Sequence, residues 1–356
     1  MRTSELLFRK SRRPGHGVRA ATIAAAAAAA LCFAGAQAVS AQTVVKFAHS
    51  EGEGDLLDHP YWAYTEVFSQ AVSAGTGGRY EIQVFPNKQL GDLESMMEQT
   101  SRGVVHIVGG ISAGHLSSFD PNVQVLEMPY TFPSTAVGRE VMSGPFGKAL
   151  ADSVAEKSNL RILSYLPSAF RNFSNNERPI RTAADMQGMK IRVQNIPIHV
   201  EMVEALGASA TPIAWAELYN ALQTGVVDGQ ENAPYTMLLA NLHEVQKYYT
   251  LDNHLLNMPL IAMNEDFYQG LSEADRAVFQ KAADDAAFAM LGIIKAKESQ
   301  DLATIRKADT EIYQPSPAEM QTFVDATRAP ILEIMQQKVD PAWIDKLLAA
   351  IEEAQR

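Results

Sequence analysis

From about residue 44 to residue 263, short β-rich runs alternate with runs of helical period. Residues 44–48 are β-branched and aromatic and read as a strand. Residues 61–72 repeat apolar side chains at helical spacing, and residues 80–85 alternate as a second strand. A helix over 91–101 and a strand over 104–108 follow. A second set of strand-like runs covers 161–165, the stretch around Arg171, 189–193, 247–251 and 259–263. This alternation predicts an α/β architecture with a mainly parallel sheet. From Ser272 the pattern turns helical. Ser272-Glu273-Ala274-Asp275 predicts a helix start, the helix running to about residue 307, with two more helices over 317–337 and 341–354.

The ends add an address. Arg2, Arg9, Lys10, Arg12, Arg13 and Arg19 precede an alanine-rich apolar run over 20–36, and Val39-Ser40-Ala41 offers a small-residue cleavage site. This predicts an export signal over 1–41 and a mature chain starting near Gln42, with Ala36-Gln37-Ala38 as a competing site. The single cysteine, Cys32, lies inside that segment, so the remainder has no disulfide or thiolate chemistry. About 315 residues then suffice for two lobes, each with its own core. The whole chain carries −11, and removing six basic residues and one acid leaves −16. Such a surface repels nucleic acid and anionic membranes, so a bound anion needs a local basic cluster.

Catalytic signatures are weak. Gly110-Ile111-Ser112-Ala113-Gly114 fits the G-x-S-x-G pattern of a nucleophile elbow, making a secreted serine hydrolase using Ser112 the alternative function. An HGGG-type oxyanion motif is missing, and no Asp…His pair stands out downstream. The histidines are scattered without an H-E-x-x-H spacing. Glu51-Gly52-Glu53-Gly54-Asp55 reads as a solvated acidic turn, since it lacks the spacing of a calcium loop. The chain contains no P-loop or G-x-G-x-x-G. No cofactor is called for.

Basic and aromatic residues offer more. Period two places Met189, Ile191 and Val193 on one face of a strand and Lys190 and Arg192 on the other. On pattern alone Arg192 fits a solvated side chain as well as an anion clamp. Arg171 fits an ion pair with an acid of the same chain. Trp215, Leu218, Tyr219 and Leu222 form a stripe at helical spacing that by default belongs to a core. Asn232 fits a cap for the helix that follows.

Taken in order, several stretches resemble the solute receptors of tripartite ATP-independent periplasmic (TRAP) transporters, the DctP-type family. They are Lys46-Phe47-Ala48-His49, Phe85-Pro86-Asn87-Lys88-Gln89-Leu90-Gly91, Met128-Pro129-Tyr130, Arg171-Asn172-Phe173-Ser174-Asn175, Met189-Lys190-Ile191-Arg192-Val193, the run from Ala221 to Asn232, and Asn253-His254. The resemblance spans nearly all of residues 42–356. It implies a two-lobed, type II-like periplasmic binding fold with crossing strands between the lobes and a long bracing helix. Lobe I would comprise 42–168 plus 258–297, and lobe II 169–257 plus 298–356. It implies a periplasmic, non-enzymatic receptor that captures a small organic acid and hands it to TRAP membrane permease subunits without itself entering the membrane. Arg192 would clamp the carboxylate, because a planar guanidinium gives it two parallel charge-assisted bonds. Arg171 would add a second anion contact, Asn232 an amide partner and Trp215 an aromatic wall. His254 would stand behind them, with Ser50 and Asp92 at ligand-selecting positions. In the family a proline commonly follows the Gln-Glu-Asn turn, whereas here Ala233 intervenes before Pro234.

Overall fold

The computed structural model describes residues 42–356, so the predicted export signal lies outside the described residues. Two mixed sheets organise the chain. The first contains β1 (Thr43–His49), β2 (Tyr80–Phe85), β3 (Ile107–Ser112), β4 (Leu160–Tyr165) and β10 (Pro259–Asn264), in the order β2-β1-β3-β10-β4. The second contains β5 (Ala169–Asn175), β6 (Lys190–Val193), β7 (Ser209–Pro212), β8 (Gly229–Asn232), β9 (Tyr248–Asn257) and β11 (Glu311–Tyr313), in the order β11-β9-β5-β8-β6-β7. The expectation of a mainly parallel sheet is only partly met. β1 runs parallel to β2 and β3, but β10 is antiparallel to both β3 and β4.

The reason is the path of the chain. It leaves the first sheet through Leu166–Ser168 into β5 and returns from β9 through Met258 into β10. The two crossings lie side by side: the Leu166 N–H donates to the Pro259 carbonyl at 2.9 Å, and the Ser168 N–H to the Asn257 carbonyl at 3.0 Å. β10 therefore enters the first sheet against the direction of β3. This paired ribbon joins two lobes while keeping its backbone groups satisfied.

The third link is the helix Glu273–Lys307. Its 35 residues extend roughly 52 Å at the usual rise. Ser272 caps it by accepting the Asp275 N–H, and Glu273 and Asp275 in the first turn and Arg306 and Lys307 in the last suit the helix dipole. It packs on the helix Pro60–Gly75, where Tyr61, Tyr64, Phe68 and Val72 turn inward as the helical period predicts. Phe68 meets Phe47 and Phe279 edge-to-face, tying the helices to β1.

One predicted strand is displaced. β3 begins at Ile107, not near residue 104, because Gly103 takes a positive φ of 74° to turn out of the helix Leu93–Ser101, leaving Val104 55% exposed. The strand instead extends to Ser112 through Gly110, whose φ is 82°. β10 pairs Leu260 with Ile111 and Ile261 with Gly109, so Gly110 is the extra residue of a bulge.

Phe279 is fully buried at the junction of helix and sheet. Phe279→Ala should cost about 3–5 kcal/mol, the usual range for emptying an aromatic core position, read as a lowered urea midpoint with the denaturant slope unchanged.

Candidate functional site

A cleft formed of two adjoining chambers lies where the ends of β3, β6 and β8 meet. The first has Ser50, Lys88, Asp92, Arg192 and Ala214 among its walls. The second is bounded by Glu51, Tyr61, Arg171, Asn232, Tyr235 and Asn257 among others. Leu93, Gln194 and Trp215 line both.

Arg192 is not the solvated arginine that strand alternation permits. Lys190 on the same face is exposed, yet Arg192 is only 1% exposed. The segment after β7 folds back over it, and Arg192 Nε donates to the Ile213 carbonyl at 2.9 Å. Its Nη1 is buried and has no hydrogen-bond partner within the protein. Burial pushes the pKa down to about 10, assisted by the like charge of Arg171 and opposed by Glu231. The guanidinium remains charged at neutral pH, so the first chamber holds a desolvated cation with a donor to spare.

Arg171 is also buried but is satisfied. Its Nε and Nη2 grip the Glu231 carboxylate at 2.5 and 2.7 Å, Nη2 also donates to the Glu231 carbonyl, and Nη1 donates to Asn257 Oδ1 at 2.9 Å. The ion pair expected from sequence is therefore present, with Glu231 as its acid, and the same side chain still faces the second chamber.

His254 stands behind this pair. Its Nε2 lies 3.2 Å from Glu231 Oε2 and its Nδ1 2.8 Å from Asp252 Oδ2. Phe173 stacks on the ring at 4.3 Å. Burial disfavours the imidazolium, but Asp252 and Glu231 outweigh it and raise the pKa to about 9. Both ring nitrogens then donate. Burial likewise opposes the Glu231 charge, yet Arg171 and His254 hold its carboxyl far below the ordinary range. The two cations and two anions form a neutral buried chain that fixes Arg171.

The other predicted residues are distributed around the cleft. Trp215 opens a short 3₁₀ turn and is half-buried between the chambers, while Leu218 and Leu222 from the same stripe enter the core. Asn232 ends β8. Its Nδ2 donates to Gln230 Oε1 at 2.5 Å and its carbonyl accepts from the Tyr249 hydroxyl at 2.8 Å. The inserted Ala233 is buried and extended, letting Pro234 open the helix Pro234–Leu239. Asp92 caps the helix Leu93–Ser101 by accepting the Ser95 N–H at 2.8 Å, while bordering the first chamber. Ser50 is buried, and its hydroxyl donates to Glu51 Oε1 at 3.1 Å.

The serine-hydrolase alternative finds no support. Ser112 ends a strand, its Oγ donates to Gln194 Oε1 at 3.1 Å, and its N–H donates to His115 Nδ1 at 3.0 Å. Among the described residues no imidazole takes the hydroxyl proton, and the relatives described below are binding proteins. Gly114 has its own reason: a Cβ there would lie 2.4 Å from Ile196 Cγ2.

Sequence reading missed Glu51, Tyr61, Gln194 and Tyr235 as cleft residues. A signal existed for Gln194, since period two from Arg192 places it on the same strand face. Glu51 looked like the solvated Glu53 and Asp55, which are exposed. Tyr61 was absorbed into an apolar helix stripe.

The buried network makes a pH prediction. The His254 pKa rises from 6.5 to about 9 on folding. Its contribution to stability is therefore complete below pH 6.5 and is lost as pH climbs through 9. Urea midpoints should fall between pH 7 and 9.5. His254→Ala should remove this slope and cost about 3–5 kcal/mol by stranding two buried carboxylates.

Residues 52–338 match the family described as bacterial extracellular solute-binding protein, family 7, or DctP. The ectoine-binding periplasmic protein TeaA of Halomonas elongata is 31% identical over 293 residues, covering 81% of this chain and 83% of TeaA. A TRAP periplasmic solute-binding protein from Chromohalobacter salexigens, solved with bound D-glucuronate, is 29% identical with a TM-score of 0.80. That match covers 87% of this chain and 100% of the other. Another from Shewanella oneidensis, solved with succinate, is 25% identical with a TM-score of 0.80, at the same coverage of both chains. These matches fit the two-lobed fold, and the chain belongs to the DctP family of TRAP solute-binding proteins.

Proposed function

We propose that the cleft captures a small organic acid, its carboxylate held by Arg192, for delivery to a TRAP membrane permease driven by an ion gradient. The observation that carries this reading is the buried, charged Arg192 with an Nη1 that lacks a partner in the protein. An unpaired buried cation is costly, and a carboxylate is the complementary group. Arg171 and Asn232 line the adjoining chamber, with Trp215 as the wall between. His254 acts through Glu231 on Arg171, while Ser50 and Asp92 border the ligand's approach. The lobes, residues 42–168 with 258–297 and 169–257 with 298–356, close over the ligand about the paired crossings. Residues 1–41 direct export to the periplasm and are removed there. The binding proteins for ectoine, glucuronate and succinate in the same family support an organic acid or zwitterion as cargo.

Calorimetry on purified variants tests the clamp. Arg192→Ala should weaken carboxylate binding by about 2–5 kcal/mol, or roughly 30-fold to several thousand-fold, and Arg192→Lys should restore only part of it. Binding within threefold of wild type by a folded Arg192→Ala would overturn the assignment. Stability should move the other way. Arg192→Met exchanges an unpaired buried charge for an apolar chain of similar length, so its ligand-free melting temperature should equal or exceed wild type.

A further inference from the structure

One buried carboxyl group lies outside the cleft and has no counter-charge. Asp301, on the long helix, is 5% exposed. Among the described residues its side chain forms no salt bridge and no hydrogen bond, because Lys297, one turn earlier, is held by Asp58 instead. Burial pushes the Asp301 pKa up, with Asp58 and Glu298 adding to the rise and Lys297 opposing it. Asp301 borders a pocket that the helix Pro234–Leu239 separates from the cleft, with Tyr235 and Leu239 contributing to both. Leu57, Leu238, Ile293 and Ile294 make much of this pocket apolar. Asn241 and Gln300 add amide groups that have no side-chain partner among the described residues. His59 in the same wall has a buried Nδ1 in the same condition. An apolar pocket with a few converging polar groups and one unmatched charge is the setting of a ligand site.

We infer that this pocket is a second binding site, one that takes a primary ammonium carried on a short aliphatic chain. The ammonium supplies the charge that Asp301 lacks, and its three N–H groups suit a carboxylate flanked by amide oxygens. The aliphatic chain covers the leucine and isoleucine side chains. A metal ion fits the pocket poorly, since no group of three carboxylate or imidazole ligands gathers among the described residues. A neutral alcohol would leave the buried charge unmatched. The inference does not depend on what the cleft binds.

Calorimetry with n-pentylammonium tests this on wild type, Asp301→Asn and Leu238→Trp, with circular dichroism to check folding. Two control ligands are n-pentanol, which lacks the charge, and tetramethylammonium, which lacks N–H donors. Wild type should bind n-pentylammonium saturably and about tenfold or more tighter than either control. Asp301→Asn should weaken that binding about tenfold or more by removing the charge-assisted bond. Leu238→Trp should weaken it to a similar degree by filling the apolar wall. Asp301→Asn also removes an unpaired buried charge, so its ligand-free melting temperature should equal or exceed wild type. The inference falls if n-pentylammonium shows no saturable binding at millimolar concentration, or if it binds no tighter than the controls. It falls equally if a folded Asp301→Asn binds within about threefold of wild type. Should Asp301→Asn not fold, unchanged binding by Leu238→Trp overturns the site.

Discussion

A guanidinium held out of water must find an anion or impose a large desolvation cost on the fold. This chain contains two such groups facing one cleft and treats them in opposite ways. Arg171 is met by Glu231, whose own charge is secured by His254 and, through it, Asp252. Arg192 is given a single backbone carbonyl, and its Nη1 has no protein partner. The first arrangement is rigid and internally neutral. The second leaves one buried guanidinium donor without a partner in the protein.

The fold holds this asymmetry in place through its connections. β5 and β9, which carry Arg171 and His254, are the two strands that run directly out of the crossings at Leu166–Ser168 and Met258. The neutral network thus lies at the base of the ribbon joining the lobes, where the Tyr130 N–H also bonds to the His254 carbonyl at 2.7 Å and the Tyr130 hydroxyl to Asp252 at 3.1 Å. Arg192 sits further along the second sheet, on β6 beside the outermost strand, β7. The satisfied ion pairs thus lie near the crossing and the unpartnered Nη1 of Arg192 away from it.

Much of this was legible in sequence. Periodicity located the helix from about Tyr61, the strand at Tyr80–Phe85 and the C-terminal helices, the last two of which are capped by Ser316 and Asp340. The Ser272 cap placed the start of the long helix to the residue. β3 was misplaced since Val104 and Val105 look like strand, and the Gly103 turn and Gly110 bulge depend on tertiary pairing with β10. The burial of Arg192 was equally invisible: alternation separates two faces of a strand but does not say whether a loop covers the polar one. Glu51 shows the same limit. Composition makes it one of three acids in a turn, and only the packing of Tyr61 and Trp215 nearby separates it from its exposed neighbours.

Those omissions have a common physical origin. Local pattern reports how a side chain projects from its own element, while the free energy of a charge depends on what other elements bring against it. Lys190 and Arg192 are equivalent by strand period, yet one is exposed and the other buried beneath the Ile213 segment. Arg171 and Arg192 are equivalent by burial, yet the acid three residues after Asp228, Glu231, is delivered to only one of them. A binding site of this kind is therefore specified less by which charged residues the chain contains than by which of them the topology leaves without a partner.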